Sequence, residues 1–148
     1  MNKIDQMKNK YPQMVDKVSP KNTVVKNSIR AFWVGGVICT IGQFITNSLI
    51  NLGLTQDESA AFTSVILIFL GAALTALSIY DEIGKYAGGG SAIPITGFAN
   101  SMVSAAVEYK AEGYVFGLGA KIFTIAGPVI VYGIISSTVI GIIYYFIG

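Results

Sequence analysis

Residues 88–110 read GGGSAIPITGFANSMVSAAVEYK. No charge falls between Tyr86 and Val107, a run long enough to cross a membrane. It opens with Gly88, Gly89 and Gly90, and Pro94 follows. Three glycines do not favour a continuous helix. Pro94 removes a backbone donor and pushes Ile93 toward extended geometry. Non-helical backbone survives at membrane depth only where protein buries it or water reaches it. The spacing therefore predicts an irregular segment to about residue 94 and a helix from near Thr96. Thr96, Asn100, Ser104 and Glu108 then fall four apart, a single polar stripe. Gly97, Ser101 and Ala105 form an adjacent stripe of small residues. This is the pattern of a discontinuous membrane helix, whose free N-terminal amides suit an anion. Two readings stand on pattern alone. Thr96, Asn100, Ser101, Ser104 and Glu108 line a wet anion pathway, or both stripes pack against neighbouring helices.

The rest of the chain agrees with a membrane setting. Of 148 residues, 53% are hydrophobic and 12% charged, where a soluble domain has about 25%. Residues 31–56, 59–80, 86–107 and 122–148 carry no charge at all. A spanning helix needs about 20 mainly apolar residues, so four segments are expected. The expected fold is an all-α integral membrane protein with a discontinuous or re-entrant third segment. Residues 1–27 form its basic leader and 28–148 its transmembrane domain.

Seven of the ten basic residues lie within residues 1–30, giving that segment +5 and the remainder −3. That asymmetry predicts a cytoplasmic N-terminus and a leader that is not a cleaved signal. Ile4, Met7, Tyr11, Met14 and Val18 recur at helical spacing. The leader is an amphipathic helix on anionic headgroups or a solvated one. Ser19-Pro20 reads as a helix start.

Gln43 and Asn47 share a face of the first span, about 31–54, as packing glue or as a second polar wall. Thr55, with Asp57 and Glu58, marks the start of the second span, about 59–80. Lys85 is placed to pair with Asp81 or Glu82. Lys121 pairs with Glu108 or Glu112, or snorkels to the interface. Gly113–Gly117 is a GxxxG match, Gly127-Pro128 breaks the last run, and Gly133, Ser137 and Gly141 make a tight contact face. Tyr144, Tyr145 and Phe146 read as an interfacial belt.

There is no histidine and one cysteine, Cys39. No His-based triad or His metal site is possible, and Cys39 reads as packing. No phosphate loop or nucleophile elbow appears. The expectation is a protein that is not an enzyme, with no cofactor, no metal and no nucleic-acid partner.

The strings VGGVICTIGQ, IYDEIGKYAGGGSAIPITGFANSM, EYKAEG and IAGPVIVYG resemble the SpoVA group of sporulation membrane proteins in endospore-forming bacteria, over about residues 30–135. The resemblance implies an integral protein of the forespore or spore inner membrane. It implies a channel or transporter subunit that moves dipicolinic acid with calcium during sporulation and germination. Other SpoVA membrane and soluble subunits are the implied partners, alongside membrane lipid. A chain this short encloses little interior, so an oligomer is expected. The competing expectation is a non-conducting membrane scaffold that assembles or anchors partner proteins.

Overall fold

Thr55 and Glu58 open a helix as their spacing predicts. Thr55 is extended, with φ −66° and ψ 164°. Its hydroxyl accepts from the Glu58 N–H at 3.4 Å, and the Glu58 carboxylate accepts from the Thr55 N–H at 2.9 Å. Two of the donors that every helix start leaves unpaired are thereby satisfied. In the computed structural model, which describes residues 10–12, 14–15, 18 and 23–147, this helix is one of several, and no strand occurs among those residues.

Helix α1 covers Val24–Asn51 and α2 covers Gln56–Ala76. They are antiparallel, because Gly42 meets Leu67 while Thr46 lies 2.8 Å from Thr63 through their hydroxyls. Short helices α3 (Tyr80–Ala87) and α4 (Gly89–Ala92) lead into α5 (Ile95–Tyr109). A 3-10 turn, Lys110–Glu112, and a π-helical turn, Tyr114–Gly119, connect to α6 (Ala120–Ile147). Helix α2 packs mainly on α5, α1 on α2 and α4, and α6 on α5. Among the described residues, Val24–Asn51, Gln56–Ala76 and Tyr114–Ile147 are long and apolar enough to cross a membrane.

What packs inside is small. Ala87, Ala99 and Ala105 are buried, as are Ser59, Thr63, Thr75, Ser91 and Thr96, and Tyr80 is the one large side chain among them. Phe44, Phe62, Phe69 and Ile140 face outward. A water-soluble core is the reverse of this. In lipid, outward apolar side chains cost nothing, and small residues let helix backbones approach.

Several expectations are corrected. The three glycines are not irregular throughout: Gly89 and Gly90 join the one-turn helix α4. Only Gly88 takes a left-handed φ, at 52°, and glycine adopts helical angles readily once its surroundings require them. The second break is Pro94, at ψ 161°, and α5 starts at Ile95 rather than Thr96. Of the first two long helices, α1 is helical from Val24 and α2 begins at Gln56, directly after the Thr55 cap as expected. Gly127-Pro128 does not break the last run; Pro128 sits inside α6. Lipid-facing helices tolerate proline because leaving the helix would expose more backbone than the single lost bond. Gly113 and Gly117 form no helix face. Gly113 turns the chain at φ 104°, and Gly117 lies against the Tyr109 carbonyl and Glu112. Of the leader, Tyr11, Met14 and Val18 are helical and exposed; Ile4, Met7 and Ser19-Pro20 lie outside the described residues.

Candidate functional site: the broken third segment

The turn between α3 and α5 is tied by one hydroxyl. Tyr80 Oη lies 2.8 Å from the Ser91 carbonyl oxygen and 2.7 Å from Thr96 Oγ1. The carbonyl only accepts, so the phenol proton goes there and Thr96 supplies the second bond. Tyr80, Ser91 and Thr96 are all buried. One turn deeper, Thr75 Oγ1 sits 2.7 Å from the Gly71 carbonyl and 2.9 Å from the Asn100 side-chain amide. Thr75 has one proton for two acceptors, the Gly71 carbonyl and Asn100 Oδ1, so the amide N–H groups of Asn100 are left for other partners. Glycines make these approaches possible. A Cβ on Gly71 would lie 2.9 Å from the Thr96 carbonyl, and one on Gly97 would overlap the Ser91 carbonyl.

Beside this network is a cavity of about 670 Å³, lined by Tyr80, Ser91, Gly97, Asn100, Ser101 and Val129 among others. The expected stripe divides around it. Thr96 is buried, Asn100 and Ser101 are half-buried on the cavity wall, and Ser104 and Glu108 are exposed. Ser101 and Ser104 bond carbonyls of their own helix, Phe98 at 2.8 Å and Ser101 at 3.2 Å. Gln43 and Asn47 are exposed on α1 and bond each other at 2.9 Å, away from the cavity. Sequence spacing found neither Thr75 nor Tyr80. The usable signal was Gly71 one turn before Thr75, a small residue beside a hydroxyl.

The charged groups stand apart from the cavity. Lys85 pairs with Glu82, both largely exposed. The hydrogen bond that Lys85 donates to Glu82, helped by the carboxylate's charge, holds the Lys85 ammonium above the ordinary lysine range. The Arg30 guanidinium lies 4.6 Å from the centre of the Tyr86 ring. Lys121 pairs with neither expected carboxylate; its ammonium lies 4.2 Å from the Tyr109 ring centre, a cation–π contact. The turn through Gly113 brings Tyr109 and Lys121 together and leaves Glu108 and Glu112 exposed.

The family model of the SpoVAC/SpoVAEB sporulation membrane proteins matches residues 27–143. Stage V sporulation protein AC of Bacillus subtilis (strain 168) is 45% identical over 140 residues, covering 94% of this chain and 93% of that protein. No solved structure matches.

Proposed function

Since this chain belongs to the SpoVAC/SpoVAEB family of sporulation membrane proteins, we propose that it is a subunit of a channel or transporter for dipicolinic acid with calcium. It acts in the spore inner membrane during sporulation and germination, with a cytoplasmic N-terminus and with other SpoVA membrane and soluble subunits. Helix α5, preceded by its two breaks, is the third of four membrane segments. Its 15 residues span about 22 Å, less than the roughly 30 Å of a hydrocarbon core. It starts level with Gly71, five residues before the end of α2, and Gly90, Ser91 and Thr96 around the break are buried by neighbouring helices.

One observation carries the reading: a cavity of mixed lining, with the polar groups of Ser91, Asn100 and Ser101 on its wall, sits where the third segment is broken. Thr96, Asn100, Ser101, Ser104 and Glu108 mark the path, and Gln43 and Asn47 form a second wall toward another subunit. The working unit holds several chains, because the close-contact face of Gly133, Ser137 and Gly141 on α6 is exposed and a Cβ added at either glycine meets nothing within 4 Å. The scaffold reading has its own support. Thr96 and Asn100 already bond Tyr80 and Thr75 inside the chain, as packing residues do.

Two substitutions separate the readings. Asn100→Leu and Thr75→Val both break the same bond, but only the first removes the amide from the cavity. For a pathway, dipicolinate flux in liposomes per assembled complex falls about tenfold or more in Asn100→Leu, since a hydrogen bond to a charged group contributes about 1.5–3 kcal/mol. Thr75→Val then conducts normally. Equal and normal flux from both variants refutes the pathway and leaves the scaffold.

A further inference from the structure

We propose that the seam between α1 and the α3–α4 turn seats one anionic phospholipid, with its phosphate headgroup beside Arg30 and Lys85 and one acyl chain in the apolar groove below. This inference is independent of transport. It rests on two cavities that share a lining residue. The upper one, about 270 Å³, is lined by Asn27, Arg30, Lys85, Tyr86, Gly88 and Gly89 among others. The lower one, about 500 Å³, is lined by Ala31, Gly35, Cys39, Gly90, Ile93 and Pro94 among others, and Gly89 belongs to both. The first is mostly polar and basic, and the second is almost wholly apolar. That is the order of groups along a phospholipid.

The dimensions fit as well. From Arg30 to Cys39 is nine residues of α1, about 13 Å at the helical rise, close to one leaflet of a roughly 30 Å hydrocarbon core. The upper cavity lies at the end of α1 that carries the basic leader, where an anionic leaflet is expected. Arg30 is stacked on Tyr86, which sets its plane and leaves N–H groups at its edge for a phosphate. The acidic groups nearby are Asp81 and Glu82. Glu82 bonds Lys85 in an exposed pair, which is weak in water and yields to a phosphate brought in by its own acyl chains. The groove needs a long apolar occupant, because Phe32 and Ile93 at its edges are 84% and 87% exposed. A free anion would fill only the upper half.

The test uses the full-length chain in mild detergent, with lipid binding counted by native mass spectrometry. One phosphatidylglycerol is expected to bind about tenfold tighter than phosphatidylcholine, given what basic side chains contribute near anionic headgroups. Arg30→Gln with Lys85→Gln removes that preference. Lys3→Gln with Lys8→Gln, an equal charge loss in the leader, keeps it. Gly36→Leu fills the groove from a position where an added Cβ meets nothing within 4 Å, and it weakens phosphatidylglycerol about tenfold. Inorganic phosphate and dipicolinate at millimolar concentration do not displace the lipid. The proposal is overturned if the leader variant loses the preference equally. It is also overturned if either free anion displaces the lipid while Gly36→Leu binds normally, which would mark a free-anion site. If the Arg30/Lys85 variant does not fold, the Gly36→Leu arm decides alone.

Discussion

Gly90→Ala is expected to lower the stability of the helix bundle by about 3 kcal/mol or more, the upper end of what overpacking costs. A Cβ at Gly90 would overlap the carbonyl oxygen of Ala31 and lie 2.6 Å from its Cα. Both partners are helix backbone, so no side chain can rotate away. The opposite approach is nearly as close, since a Cβ on Gly35 would lie 3.3 Å from the Gly90 carbonyl oxygen. Relief requires α4 to leave α1, and α4 is what holds the two breaks beside the cavity. Gly36→Ala is the control. It sits on α1 next to Gly35, its added Cβ meets nothing within 4 Å, and it should gain up to about 1 kcal/mol from helix propensity. Thermal unfolding of the full-length protein in detergent distinguishes them. A Gly90→Ala variant that melts with the wild type would mean that α1 and α4 do not touch.

The break in the third segment was legible because glycine and proline act through their own backbone. GGGSAIP announced an interruption, which the structure divides into breaks at Gly88 and Pro94 around a helical turn, and a helix start within one residue of the one observed. The Thr55–Glu58 box was legible for the same reason: cap and partner are three residues apart. The tertiary consequences were not local. Tyr80 reaches Thr96 across 16 residues, and Thr75 reaches Asn100 across 25; no spacing rule connects such positions. A stripe at i, i+4 says which side chains share a face, but not what covers that face. Here α2 and α3 cover its first half, leaving Ser104 and Glu108 exposed. GxxxG misled at Gly113 because the motif presumes a helix and the chain turns there. Gly127-Pro128 misled because a lipid surround changes what a proline costs.

Tyr80 provides the second large effect. Tyr80→Ala is expected to destabilise the protein by about 3–5 kcal/mol, as truncation of a buried aromatic does. Tyr80→Phe should cost less, about 1–3 kcal/mol, through loss of the hydroxyl alone. The ring is 3% exposed and keeps its packing in the phenylalanine variant, so the smaller change isolates the two hydrogen bonds. Without the hydroxyl, the Ser91 carbonyl loses its phenol donor and Thr96 Oγ1 loses its acceptor. Both groups are buried, and a buried polar atom deprived of its partner carries its full desolvation penalty. The loss should be local. Hydrogen exchange should quicken at residues 88–96, whose break the hydroxyl ties to α3, while the α1–α2 pair held by Thr46 and Thr63 keeps its protection. Thr96→Val should reproduce part of the effect, since it removes one of the two bonds. If Tyr80→Phe melts and exchanges as the wild type does, the turn is held by glycine packing at Gly71, Gly90 and Gly97 alone.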